Sequence, residues 1–478
     1  MRFSEIAVAT PFDGVPKINL PDIYGASPEK PFLLRIPAIG KRPISFTASG
    51  LPEGLVLKNG IISGSVKNKG DYAVKITAEN ELGKDEKLIT LEIKENNILL
   101  TPLLGFTSWN AFAIEVSQEK LEKIADKLIS SGIADYGYSY VNCDSGWQKE
   151  YGGKYDAIMP NEKFPDMKGM CDKIHSLGLK CGIYSTPMLR AWGLPQNSPI
   201  YYPGCTVGEP DILFATTNTG VGVDRREKNN VAQWCEWGFD YLKYDWAPCD
   251  PTNAEYMRKE LVKAPRDFGF CVTVKALHDY VTYWKKYCNS YRCNEDSVCR
   301  WDNFLRIYAS YDSFIYDINK GHFFDLDMLD VGDGVFAKNP DRLTEDEELC
   351  AYTLRAFMNS PIQISAALEN LSEFELSMYC NEEIIAINQD SGFYPARPFY
   401  ISERGKKNLQ MFKKKLSDGS FAYAVFNIGE TFESLNIHLD DVCIVRDVWQ
   451  KKDLPTLDHI AVSVYPHTVK VFRTKKAN

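Results

Sequence analysis

The sequence predicts a multidomain chain, with a (β/α)8 barrel of the TIM type set between an N-terminal β-sandwich and a C-terminal antiparallel β domain. Three observations predict it. From Thr101 onward, short apolar strands alternate with helical stripes, the pattern of a parallel sheet covered by helices. Before that point, and again from about residue 394, period-two alternation is broken by turn residues, as antiparallel strands require. Finally, 478 residues are more than one ordinary core holds, so two or three domains are expected. The expected division is 1–97, 98–393 and 394–478.

Composition excludes several classes. The chain is 44% apolar and 25% charged, ordinary for a soluble globular protein. Its net charge of −9, without a long basic block, argues against nucleic acid or an anionic membrane as partner. A membrane span needs about 18 consecutive apolar residues, and no such run exists. The start, MRFSEIAVATPFDG, lacks the apolar stretch of a signal peptide. A cytoplasmic location is therefore expected, or a secreted or periplasmic one if a signal had been removed. The 13 cysteines are scattered singly, and Cys288, Cys293 and Cys299 do not have metal-ligand spacing. Mostly free thiols and no metal are expected. No G-x-G-x-x-G or Walker pattern follows a strand, so no nucleotide cofactor is indicated. The oligomeric state stays open, a homo-oligomer included.

In the N-terminal part, 32–36, 44–48, 72–78 and 88–93 read as short alternating strands, with turn signals at Asn59-Gly60 and Lys69-Gly70. Their spacing suits an immunoglobulin-like sandwich. Leu51 to Val66, LPEGLVLKNGIISGSV, resembles the Ig-like repeat found beside many bacterial surface and glycan-active modules. No acid, histidine or cysteine cluster sits here. The part reads as a spacer, with direct ligand binding as the alternative.

The barrel strands are expected at 103–109, 138–143, 180–185, 239–244, 271–274, 289–292, 323–325 and 361–365. Ser117 is a helix N-cap, followed by the stripe Leu121, Ile124, Ala125, Leu128 and Ile129 and stopped by Gly132. Met167–Leu177 is a second helix, and Thr344-x-x-Glu347 has the form of a capping box. The stretch from Met188 to Arg226, with Trp192, Tyr201 and Tyr202, reads as a long irregular loop: a pocket wall or a plain surface loop. In the C-terminal part, 409–412, 421–427, 435–439, 442–449, 461–464 and 469–472 alternate as strands covering the barrel's flank.

The most informative stretch is WGFDYLKYDWAPCD, Trp237 to Asp250. Strand alternation puts Tyr241, Lys243 and Asp245 on one face and Asp240, Leu242 and Tyr244 on the other. A lysine and an aspartate at the end of an apolar strand suit a barrel mouth, where strand ends carry chemistry. The strand alone fits equally a buried pair that only holds the fold. Other polar residues at strand ends are Trp109, Asp144 with Trp147, Tyr184, Arg292 with Asp296, and Asp325 with Asp327. Each alone suits a turn or a cap. Together they make an acid-rich, aromatic-walled mouth, in which carboxylates take hydrogen bonds from sugar hydroxyls and a ring covers the apolar sugar face.

The motifs TPLLGFTSWN, VNCDSGWQ, LKCGIYST, WGFDYLKYDW, NSYRCNED, FDLDMLDVG and AINQD occur in this order between Thr101 and Asp390. The series resembles the family 27 glycoside hydrolases of the α-galactosidase clan. The resemblance implies a TIM barrel followed by an antiparallel β domain. It also implies a retaining exo-α-glycosidase without cofactor that takes terminal α-galactosyl residues from an oligosaccharide or glycoconjugate. It places the nucleophile on Asp245, the acid/base on Asp296, and sugar contacts on Trp109, Asp144, Lys243 and Arg292. Trp147, Tyr184 and Asp325 join this set from their places at strand ends.

The chain also departs from the family pattern. Ser145 stands where a second acid normally helps hold the axial 4-hydroxyl. Serine can hydrogen-bond there but carries no charge. An α-glucan (isomaltosyl) or β-L-arabinopyranoside hydrolase is therefore an alternative, as is a non-catalytic sugar-binding homologue. Phe106 replaces a tryptophan, and Phe324 and Leu326 replace asparagine and proline. His278 and Asp279 lie in the region facing the sugar's 2-position, as contacts or as a plain helix start. Cys205 and Cys249 are candidates for a disulfide near the mouth. Lys243 should favour the charged form of Asp245. Asp296 should sit in a less cationic or drier setting, or feel the charge of Asp245. Arg292 is expected to hold a sugar hydroxyl or a second acid such as Asp325, not Asp296.

Overall fold

The structure is a computed structural model that describes residues 2–192, 202–213, 220–335, 341–399 and 408–477. At its centre, eight parallel strands run in order around a ring: β1 (Leu104–Thr107), β2 (Tyr140–Asn142), β3 (Lys180–Ser185), β4 (Tyr241–Asp245), β5 (Gly269–Thr273), β6 (Ser290–Arg292), β7 (Phe323–Asp325) and β8 (Ile362–Ile364). β8 pairs with β1, and a bridge between Leu329 and Ile364 closes the ring beyond β7. The strands are short because only their middle residues must fill the barrel, while their ends turn into loops at the mouth.

Sequence alternation decides which way each strand faces. On β4, Leu242 and Tyr244 pack outward into the main core, Tyr244 edge-on to Trp246. Tyr241 turns inward to a floor shared with Leu103, Tyr140 and Cys271, and Lys243 and Asp245 follow it on the inner face. The helix before β4 (Glu227–Trp237) ends at Gly238, whose φ of 105° needs a residue without a Cβ. Two further helices carry their signals as read: α1 (Gln118–Ser130) is capped by the Ser117 side chain, and α2 (Glu345–Phe357) begins with the full Thr344/Glu347 capping box.

The N-terminal residues form a four-stranded and a three-stranded sheet over a common core that includes Leu34, Ile62, Ile76 and Leu91. Asn59 and Gly60, at φ of 50° and 75°, make the expected hairpin turn between Leu55–Lys58 and Ile61–Gly64. Lys69-Gly70 is not a turn; Gly70 instead begins an 11-residue strand to Asn80. These sheets lie against the N-terminal ends of the barrel strands. Lys180, first in β3, donates to the Tyr24 hydroxyl at 3.0 Å, Asp135 takes Arg35 at 3.2 Å, and Glu92 takes Lys320 at 3.0 Å. A cavity of about 280 Å3 remains in this seam, at the end opposite Asp245. Asp240, in that seam, is held down to about 2: burial would raise it, but His175 and Arg266 outweigh burial.

The C-terminal residues form a six-stranded antiparallel sheet. The two strands expected at 435–439 and 442–449 are one long strand, Glu433–Asp447, because a register shift between His438 and Cys443 lets the ladder continue through the irregular part. The stretch from Met188 to Arg226 is likewise more regular than expected: Thr206–Leu213 pairs with Gly220–Arg225, and Arg190–Ala191 with Tyr202–Pro203. Tyr201 lies outside the described residues. No helix among the described residues is long and apolar enough to cross a membrane.

Where the C-terminal sheet meets α2, Lys414 is buried and its ammonium donates to the Phe357 carbonyl at 2.8 Å and to the Asn359 side chain. Burial pulls its pKa from 10.5 to about 7. Between those values the unfolded chain binds a proton that the folded chain has lost, so stability contributed by this site rises with pH across that window. Lys414→Met should abolish that contribution. The difference in unfolding free energy between variant and wild type, followed by denaturant titration from pH 7 to 10, should fall by up to about 1.4 kcal/mol per pH unit.

Candidate active site

The C-terminal strand ends bring the expected residues together around two cations. From β4, the Lys243 ammonium reaches Oδ2 of Asp144, beyond β2, at 2.7 Å. Asp144 is fixed in turn by its own N–H donating to the Ser108 hydroxyl at 2.9 Å and by the Ser145 N–H donating to its Oδ1 at 2.8 Å. From β3, the Tyr184 hydroxyl donates to Oδ2 of Asp245 at 2.9 Å, and the Lys243 ammonium stands 5.7 Å from the Tyr184 ring centroid. From β6, the buried Arg292 bonds Asp296 through one terminal nitrogen and Asp327 through the other, the latter at 3.0 Å. Lys243, Arg292, Asp325 and Asp327 line one small recess inside the barrel. Trp109 opens a short helix just past β1 and is half-buried.

The electrostatics follow from burial and these partners. Burial pushes Asp245 up to about 6; Lys243 and Arg292 pull it back, while Asp296 and Asp144 add to the rise. Lys243 thus favours the charged carboxylate as expected, but it is paired with Asp144 and does not overcome burial. Asp325 is also pushed up to about 6, by burial and then by the charge of Asp327. Burial acts the same way on Asp327, but Arg292 and Lys243 outweigh it and hold that carboxyl below its usual range.

Several expectations need correction. Arg292 does hold Asp296, and its second acid is Asp327 rather than Asp325. Asp327, at φ 72°, places its carboxylate on Arg292, whereas Asp325 Oδ1 accepts the Asp327 N–H at 2.8 Å. Asp296 is not in a drier setting: its side chain is 79% exposed. Its charge adds to the rise at Asp245. Trp147 does not reach the mouth; its ring is buried edge-on to Trp237, and its N–H donates to the Tyr184 carbonyl at 3.0 Å. Trp147 therefore supports the β3 end that carries Tyr184. The Ser145 hydroxyl is engaged with the Trp192 carbonyl at 2.6 Å. His278 bonds Asp317 at 2.8 Å at the start of a short surface helix. Cys205 and Cys249 are free thiols, bonded to the Ser185 hydroxyl and the Trp246 carbonyl.

With this geometry established, comparison with known proteins places the chain. A family model described as alpha galactosidase A matches residues 101–390, and one described as the alpha galactosidase C-terminal beta sandwich domain matches 406–474. The chain belongs to the alpha galactosidase A family. It is a glycoside hydrolase of the α-galactosidase type. Alpha-galactosidase 2 of Arabidopsis thaliana is 24% identical over 401 residues, 80% of this chain and 91% of the plant protein. A crystal structure of a candidate alpha-galactosidase from Bacteroides fragilis is 27% identical with a TM-score of 0.85, covering 99% of this chain and 100% of that one, so the N-terminal sheets are shared with it. A β-L-arabinopyranosidase from Geobacillus stearothermophilus, 22% identical with a TM-score of 0.69 over 79% of this chain and 98% of that one, shares the fold.

Family membership leaves two residues of this mouth unread in the sequence, Asp327 as the partner of Arg292 and Arg355 beneath it. Asp327 was visible only as the second acid of an Asp-x-Asp pair. Arg355 sits inside α2 and gives no local signal. Among the described residues no cluster of three or more His, Cys, Asp or Glu is arranged to hold a metal ion.

The Asp144–Lys243 pair yields a direct test. Removing one partner of a buried ion pair leaves the other charge uncompensated, at a cost of about 3–5 kcal/mol. Asp144→Ala should lower the unfolding free energy by that amount in denaturant titration. A loss under about 1 kcal/mol, the range of exposed pairs, would show that water reaches Lys243 freely.

Proposed function

We propose that the protein is a retaining exo-glycosidase that removes terminal α-galactosyl residues from oligosaccharides or glycoconjugates by double displacement. Asp245 attacks the anomeric carbon while Asp296 protonates the departing oxygen. Asp296 then activates the water that releases the sugar from Asp245. Such enzymes place two carboxyls about 5–5.5 Å apart across the sugar. The observation that carries the reading is Arg292: one buried guanidinium bonds Asp296 and acts electrostatically on Asp245, and the charge of Asp296 raises Asp245 in turn. Those couplings are expected of two carboxyls facing one anomeric centre. Asp144 and Lys243 are read as the pair that takes the sugar hydroxyls, Tyr184 as the group that orients Asp245, and Trp109 as the aromatic cover.

A second glycon is favoured by one observation. The Ser145 hydroxyl donates to the Trp192 carbonyl, which leaves it less free for an axial 4-hydroxyl. A glucosyl (isomaltosyl) or β-L-arabinopyranosyl residue is therefore the alternative for the same chemistry. We read the N-terminal sheets, 1–97, as an immunoglobulin-like spacer, 98–393 as the catalytic barrel, 394–478 as its flanking β domain, and the protein as cytoplasmic.

Steady-state assays with aryl α-galactoside, α-glucoside and β-L-arabinopyranoside test the reading. The galactoside should be cleaved fastest, Asp245→Asn should abolish turnover, and Asp296→Asn should slow it by about 10²–10⁴-fold. Asp245 must be ionised to attack, so kcat/KM should fall tenfold per unit below about pH 6. Full activity in either variant refutes the assignment. Binding of a sugar without turnover of any substrate would make the chain a sugar-binding homologue.

A further inference from the structure

We propose that Asp327 is a positioning residue for Asp296, holding that acid/base through the Ser297 amide and through Arg292. The inference rests on the reading of Asp296 given above and goes beyond it, because it assigns a task to a residue outside the expected set.

Two partners of the Asp327 carboxylate lead to Asp296. Oδ2 accepts the N–H of Ser297, the residue directly after Asp296, at 2.7 Å. Oδ1 accepts Arg292 Nη1 at 3.0 Å, while Arg292 Nη2 bonds Asp296. One buried carboxylate thus holds both the backbone beside the acid/base and the guanidinium against its carboxyl. Asn303 adds a third hold, donating to the Asp296 carbonyl at 3.0 Å.

Asp327 is itself locked. Its left-handed φ of 72° is uncommon for a residue with a Cβ, and its N–H donates to Asp325 Oδ1 at 2.8 Å. Arg355, 1% exposed, donates to the carbonyls of Leu326, Asp327 and Met328 at 3.0 Å each and to the Ser297 hydroxyl at 3.4 Å. A buried arginine with its fork satisfied by carbonyls of one loop fixes that loop's path. The loops after β6 and β7 are therefore joined twice, by Asp327 and by Arg355.

Charge ties Asp327 and Asp296 to the same cation, Arg292. The groups facing Asp296 are Arg292 from β6 and Asp245 from β4, while its neighbour Glu295 is tied to Lys275. Those facing Asp327 are Arg292, Lys243, Asp325, Asp330 and Arg355. While Asp327 is ionised, it shares the positive charge of Arg292. Without it, the buried Arg292 loses one of its counter-charges, and its hold on the Asp296 carboxyl is no longer fixed from the Asp327 side.

The test uses the full chain and the aryl glycoside it hydrolyses best, in phenyl and dinitrophenyl forms. Phenol needs protonation as it leaves; dinitrophenolate does not. Asp327→Asn should cut kcat/KM on the phenyl substrate by about 10²-fold and on the dinitrophenyl substrate by less than about fivefold. Asp327→Glu, which keeps the charge but displaces it from the Ser297 amide and Arg292, should remain slow on the phenyl substrate. Equal losses on both substrates in Asp327→Asn would overturn the inference. Asp296→Asn is the reference: if it shows no preference for the dinitrophenyl substrate, the acid/base reading of Asp296 has failed instead. Far-ultraviolet circular dichroism confirms that each variant is folded, and Arg355→Lys, which loosens the same loop but leaves the Asp327 carboxylate in place, should give a smaller loss confined to the phenyl substrate.

Discussion

The guanidinium of Arg292 is buried inside a barrel, and a buried charge is costly unless it is paired and hydrogen-bonded. Its two partners, Asp296 and Asp327, come from different loops, so satisfying one cation joins two loops and sets the shape of the mouth. Asp327 is left-handed where it meets Arg292, Asp325 accepts the Asp327 amide, and the Ser297 amide completes the ring. Lys243 performs the same service on the other side by engaging Asp144.

The balance of charge follows. Four acids that the mouth draws in, Asp144, Asp245, Asp325 and Asp327, meet two cations, Lys243 and Arg292, with Asp296 at the exposed rim. Cations that are already paired offset burial only in part at Asp245 and Asp325, and both are pushed up to about 6. Pairing decides which carboxyls stay low: Asp327, directly on Arg292, falls, while Asp325, two residues earlier, rises. Environments that separate otherwise equal carboxyls in this way are a usual basis for dividing acid and base roles.

Local patterns carried most of the fold. The bounds of β3 and β7, the capping box of α2 and the inward face of β4 were legible because each depends on residues a few positions apart. What failed depends on distant contacts. Lys69-Gly70 reads as a turn until strand pairing draws Gly70 into a ladder, and the C-terminal strand looks broken until its partner shows the register shift. The site divides the same way. Motifs located Asp144, Lys243, Asp245, Arg292 and Asp296, but not which acid each cation takes, since Asp144 and Lys243 are 99 positions apart. Trp147 was misread because a tryptophan beside an acid has the same spelling whether its ring lines a pocket or, as here, packs behind Tyr184.

The claim on which the account depends is that two carboxyls act in turn on one anomeric centre, with a covalent sugar intermediate on Asp245. Proton NMR of aryl α-galactoside hydrolysis, recorded before the product mutarotates, tests it most directly. Double displacement predicts that α-galactose is the first sugar to appear; β-galactose first would mean a single displacement by water and would contradict the account.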